Sequence, residues 1–84
     1  MSEELVKIGD VSHYFTRIEV AVIELRDKLK VGDEIRIKGA TTDFTQKVES
    51  IQIEHLQVEE ARAGDSIGLL VRFRVREGDE VFKL

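Results

Sequence analysis

The chain has 84 residues, 42% of them apolar and 36% charged, with a formal net charge of −4 and neither proline nor cysteine. That length makes a single domain, residues 1–84, near the lower limit for a core that folds alone. The missing cysteines exclude disulfides and thiolate metal sites. The acidic balance has the wrong sign for a protein held to nucleic acid by non-specific phosphate contacts. No apolar run nears the roughly 18 residues a membrane span needs. Met1-Ser2-Glu3-Glu4 is acidic and no secretory signal, so the cytoplasm is the expected location.

Residues 5–13 are predicted as the first strand, with Gly9-Asp10 as a bulge. Residues 17–25 form the second. Ile18, Val22, Leu25 and Leu29 also suit a helical stripe, but β-branched residues crowd positions 18–23 and no capping signal precedes them, which favours a strand. Next comes Val31-Gly32-Asp33-Glu34-Ile35, a phrase the chain repeats as Ala63-Gly64-Asp65-Ser66-Ile67 and Glu77-Gly78-Asp79-Glu80-Val81. Glycine takes positive φ freely, and the aspartate after it can bond its own backbone. Each phrase therefore reads as a tight turn into a strand.

Residues 34–38 follow as a strand with Ile35 and Ile37 on one face, then a loop over 39–43. Residues 44–55 read as one long strand whose parity slips. Phe44, Gln46 and Val48 share one phase and Ile51 and Ile53 the other, so a bulge is expected near Glu49-Ser50. Residues 56–63 suit either one helical turn or an irregular connection. Ile67, Leu69, Val71, Phe73 and Val75 alternate cleanly, which makes 67–75 the strongest strand signal, and 79–84 closes the domain. Six strands without a helix layer predict an all-β fold, a small closed six-stranded antiparallel barrel.

Chemistry-bearing residues are sparse. His13 and His55 are the two histidines, too few for a metal site without distant carboxylates. His55 lacks a nucleophile or orienting carboxylate at a readable spacing. No catalytic residue, metal ligand or cofactor is assigned, and an enzyme is not expected. Arg72, Arg74 and Arg76 alternate with apolar residues and would project from one strand face about 7 Å apart. Such a comb suits a phosphate backbone but equally a solvated face paired with Glu77, Asp79 or Glu80, which the acidic total favours. Arg36 and Lys38 are the next cations to consider. Thr41-Thr42-Asp43-Phe44-Thr45-Gln46 is dense in hydroxyls and amides, as a ligand loop or as a turn satisfying its own backbone. The second is favoured because Phe44 is placed to anchor it. Tyr14-Phe15 offers either a base-stacking surface or an aromatic plug.

The segments 29–37 and 61–71, with Val48-Glu49-Ser50-Ile51-Gln52 between them, resemble the second domain of elongation factor Tu and related translational GTPases, a six-stranded β-barrel. The resemblance covers roughly residues 29–84. In the opening hairpin Tyr14, Phe15 and Thr16 replace glycines of the family. Asp43-Phe44-Thr45-Gln46-Lys47-Val48-Glu49 resembles the barrel at the C-terminus of collagenase-type peptidases, some also implicated in RNA-base hydroxylation. The Gly-Asp turns at 30–33 and 78–79 fit that barrel too. GTPase activity does not carry over, since there is no Gly-x-x-x-x-Gly-Lys-[Ser/Thr] loop. The resemblance to elongation factor Tu implies a tRNA-end pocket at Gln52, His55 and Leu70. Here an amide stands for the family's acid and an imidazole for its base.

The expected function is a stand-alone, non-enzymatic binding module holding RNA or a translation-linked ribonucleoprotein. Its candidate surface is Thr42, Asp43, Gln46, Gln52, His55, Leu70, Arg72, Arg74 and Arg76. The alternative is a protein-interaction subunit that docks onto a separately encoded peptidase-type or RNA-modifying enzyme.

Overall fold

A computed structural model describes residues 6–84; Leu5, at the start of the first expected strand, lies outside the described residues. The described residues form ten strands: β1 (Val6–Phe15), β2 (Val20–Leu25), β3 (Leu29–Lys30), β4 (Glu34–Lys38), β5 (Asp43–Lys47), β6 (Ile51–Ile53), β7 (Leu56–Val58), β8 (Glu60–Ala61), β9 (Ser66–Leu70) and β10 (Glu80–Lys83). Eight make one antiparallel sheet in the order β5-β4-β10-β1-β2-β9-β6-β7, and β3 pairs with β8 in a separate ribbon. Ile8, Ile23, Ile35, Ile37, Ile51, Ile67, Leu69 and Val81 enter a single buried cluster, so the sheet curls around one core.

The three Gly-Asp phrases build the same device three times. Gly32, Gly64 and Gly78 have φ of 101°, 95° and 91°, the conformation a type II turn needs at its third residue. In each turn the aspartate N–H donates to the carbonyl three residues back, at 3.1 Å in all three. Its carboxylate accepts the N–H of that same residue: Lys30 at 3.1 Å, Arg62 at 2.8 Å and Arg76 at 2.9 Å. The turn then grips one buried residue of a distant segment by two backbone bonds. The Gly32 N–H donates to Val48 O and the Val48 N–H to Asp33 O. The pairs Gly64/Asp65 and Gly78/Asp79 hold Leu25 and Val11 in the same way, at 2.8 to 2.9 Å throughout. A local sequence signal thus produces long-range clamps, and the carboxylates are spent inside them.

Closure differs from the expectation. The sheet has eight strands rather than six, and its edges, β5 and β7, are not paired with each other. The expected 44–55 strand breaks after Lys47, because the first clamp takes both backbone groups of Val48. The predicted bulge at Glu49-Ser50 is therefore a full interruption. Residues 56–63 hold β7 and β8 and no helical turn. The expected strand 67–75 stops at Leu70. Val71 and Val75 remain buried, but Phe73 swings out to 60% exposure.

At the resulting seam a side chain replaces strand pairing. Gln46 is buried, and its Nε2 donates to Leu70 O at 3.0 Å while its Oε1 accepts the Arg72 N–H at 2.9 Å. The Phe44 ring stacks edge-to-face on Phe73, with centroids 5.1 Å apart, beside that bridge.

Candidate protein-docking face

Residues paired across antiparallel strands point to the same face, so the register lays out the outer surface of β1, β2, β9 and β6. One row runs Phe15, Val20, Leu70 and the next His13, Val22, Gly68, Gln52. Gly68 contributes no side chain, and the second row sinks there into a groove of about 240 Å³. Phe15, Ile18, Val20 and Val22 form its apolar wall; Gln52, Glu54, His55 and Ser66 form its polar wall. A second groove, of about 330 Å³, opens on the other side of Ile18 and Leu70 toward the Gln46 seam, with Arg17, Glu19, Glu49 and Arg72 around it.

Backbone strain gathers on this face. Glu54 and His55 are the two central residues of the β6–β7 hairpin, with φ of 50° and 67°. Two-residue hairpin turns demand positive φ and are normally written with Asn or Gly, so these two residues hold an uncommon conformation. Glu19, in the β1–β2 turn, has φ 56°, and its carbonyl is held by the Val71 N–H at 3.0 Å.

The sequence-derived candidates separate in space. Thr42 is buried, and its carbonyl takes the Gly39 N–H at 2.7 Å to close the β4–β5 loop. Asp43 sits at the start of β5 in a bidentate pair with Arg36, both contacts at 2.8 Å. Gln46 is turned inward at the seam rather than toward solvent. Gln52 and His55 stand at the 240 Å³ groove, and Leu70 lines the 330 Å³ one, 47% exposed. The arginine comb does not form, because Arg72, Arg74 and Arg76 lie beyond the end of β9. Arg72 is instead paired with Glu49 at 2.9 Å. Tyr14 packs against the core, and Phe15 alone of that pair faces out.

Ile18, Val20, Val22, Glu54, Ser66 and Gly68 belong to the face but were not among the candidate site residues read from the sequence. Their signal was the unbroken apolar run at 20–23, which supplies both faces of one strand, followed by a glycine within an alternating strand.

Around Asp43, the Arg36 guanidinium holds the carboxyl below the usual aspartate range, chiefly by hydrogen bonding, against a smaller opposing desolvation. A carboxyl depressed in the folded state stabilises the fold above its unfolded pKa and loses that contribution as pH falls through the folded value. In a carbon-13 titration, the Asp43 carboxyl is expected to titrate below an ordinary aspartate and to move up in Arg36→Met. A midpoint unmoved by that change contradicts the pairing.

Residues 28–77, which carry the first two Gly-Asp turns and reach the third, match the family described as elongation factor Tu domain 2. The chain belongs to the elongation factor Tu domain 2 family. This family member is 42% identical over 80 residues to an uncharacterized protease of Methanocaldococcus jannaschii, across 94% of this chain and 20% of that protein. It is 37% identical over 84 residues to a collagenase of Porphyromonas gingivalis, across 98% of this chain and 20% of that one. The chain thus spans about a fifth of the length of the curated relatives it matches.

Two solved structures of the C-terminal domain of a U32 peptidase from Geobacillus thermoleovorans superpose on this domain 2 family member, each at 24% identity. One has a TM-score of 0.86, covering 92% of this chain and 90% of that one. The other, a selenomethionine variant, has a TM-score of 0.88, covering 96% and 100%. At that identity the likeness shows the shared fold. Both resemblances read from the sequence stand: the translation-factor barrel and the peptidase-type tail.

Proposed function

We propose that this domain is a non-catalytic docking module that works with a peptidase-type catalytic chain. The carrying observation is the pattern of matches: nearly all of this chain aligns with about a fifth of larger proteins named as proteases. A module of that kind needs a surface for the larger body. The apolar face around Ile18 and Leu70 supplies one, since exposed contiguous apolar area on a small protein marks an interaction site.

The RNA-holding reading has no comparable support. Its arginine row lies off the strand, and the net charge is −4. Electrophoretic titration with tRNA at low salt is expected to show no saturable binding.

The test uses the Methanocaldococcus jannaschii relative with its own matching segment removed. Mixed with the full 84-residue chain, it is expected to bind with a dissociation constant in the micromolar range or tighter, read by calorimetry. No heat of binding at about 100 µM, roughly −5.5 kcal/mol of affinity, rejects the docking module.

A further inference from the structure

The outward side of β2 is unusual for an antiparallel sheet with one face toward solvent, where outward positions are normally polar. Ala21 and Ile23 fill the core, while Val20 and Val22 point the other way and are half-buried. Phe15 and Leu70 extend that outward apolar row on either side, exposed by 46% and 47%, and Ile18 overhangs it at 61%. Below the row, the absent side chain of Gly68 leaves a groove of about 240 Å³, room for one leucine- or phenylalanine-sized side chain.

The charges beside the groove have one sign. Glu54 lines it, and Glu24 lies on the same outward face of β2, beyond Val22. Neither carboxylate has an ion pair among the described residues; Glu24 accepts the hydroxyls of Ser12 and Ser66 instead. His55, also at the groove, has no carboxylate partner among the described residues. The nearest arginine on the β1–β2 turn, Arg17, opens onto the neighbouring groove and lies beside Glu19.

The geometry points to a protein-docking groove whose partner inserts one bulky apolar side chain flanked by lysine or arginine. The apolar wall and the gap at Gly68 take the side chain. Glu54 and Glu24 take the flanking cations, worth most where the inserted chain excludes water. Carboxylates without a neutralising cation beside the groove repel a phosphate backbone, which sets the groove against nucleic acid. The inference rests on the docking reading above and deepens it, by naming the surface and the chemistry of what it grips.

The experiment is a nitrogen-15 NMR titration of the full chain with a synthetic hexapeptide, two central leucines between paired lysines. A second peptide has glutamates in place of the lysines, and a short oligoadenylate serves as the nucleic-acid probe. The lysine peptide is expected to shift the amides of Val22, Gln52 and Gly68 saturably. The glutamate peptide should bind at least about tenfold more weakly.

Gly68→Val is expected to abolish the shift. Its Cβ would lie 3.3 Å from Val20 Cγ1, a contact a small side-chain adjustment absorbs, and the valine fills the groove. Should that variant fold poorly, Ile18→Ser at the exposed turn is expected to weaken binding by about tenfold. Equal binding of the two peptides, shifts centred elsewhere, no saturable shift, or preference for oligoadenylate would each overturn the proposal.

The two readings fail separately. Capture of the catalytic chain that survives both Gly68→Val and Ile18→Ser removes this groove and keeps the docking module. Failed capture with intact peptide binding keeps the groove and removes that partner.

Discussion

Replacing Gln46 by leucine is expected to lower the unfolding free energy by about 3 kcal/mol and the melting temperature by roughly 10–20 °C. Leucine nearly matches the volume, so what is lost is the amide. Gln46 is 7% exposed and closes the seam with one donated and one accepted bond, to Leu70 O and from the Arg72 N–H. Without it two backbone groups lose their partners where no strand stands ready to replace them.

The companion variant Gln46→Glu separates hydrogen bonding from packing. A carboxylate still accepts from Arg72 but faces the Leu70 carbonyl with a charge instead of a donor. Its folded pKa is therefore expected above the unfolded one, so the stabilising form persists at low pH and is lost as pH rises through the folded value. Urea unfolding at two pH values should show the gap to wild type narrowing in acid. A Gln46→Leu protein within about 0.5 kcal/mol of wild type would mean that the seam does not depend on this amide.

Asp79→Ala is expected to cost about 2–3 kcal/mol, against about 1 kcal/mol for Asp33→Ala or Asp65→Ala. All three carboxylates accept the equivalent backbone N–H within the same turn, so that bond is constant while burial varies. Asp79 is 4% exposed, whereas the Asp33 carboxylate reaches the surface and meets Lys83 Nζ at 3.3 Å. Water can stand in for a missing acceptor at Asp33 and cannot at Asp79.

The surroundings of Asp79 sharpen that test. A Cβ added at Gly39 would overlap the Asp79 carboxylate. Gly39→Ala alone should therefore displace the carboxylate and break the third clamp. In an Asp79→Ala background the added methyl meets a vacated site. The double variant is expected to be more stable than the sum of the two losses implies, by about 1–2 kcal/mol. Strict additivity in urea unfolding would show that the two positions do not share that space.

Much of the fold was legible because it is written locally. Each Gly-Asp phrase specifies a turn through one residue's freedom at positive φ and the next one's carboxylate. All three turns form where the phrase occurs. Strict alternation likewise placed β4 over residues 34–38, and β-branched crowding made β2 a strand rather than a helix. Phe44 packs at the edge of the core as its apolar position implied.

The errors lie where a distant partner overrides local pattern. Alternation through Phe73 and Val75 promised a continued strand, but among the described residues no strand pairs with the chain beyond Leu70: the Val71 N–H goes to the Glu19 carbonyl in a turn, and Gln46 binds the next residue with its side chain. The arginine comb vanished with that strand. The apolar run at 20–23 was visible, but its meaning depended on which strands lie beside β2 and on Gly68 falling opposite Val22 and Gln52.

Sequence alone thus determined the all-β class, the three turns and the membership in a barrel family, because these rest on backbone preferences and spacing within a few residues. Tertiary structure decided that the sheet stays open, that Gln46 bridges the seam between Leu70 and Arg72, and that the outward apolar side chains form one face. Those outcomes depend on which residues far apart in the chain become neighbours, and short-range preference carries no information about that.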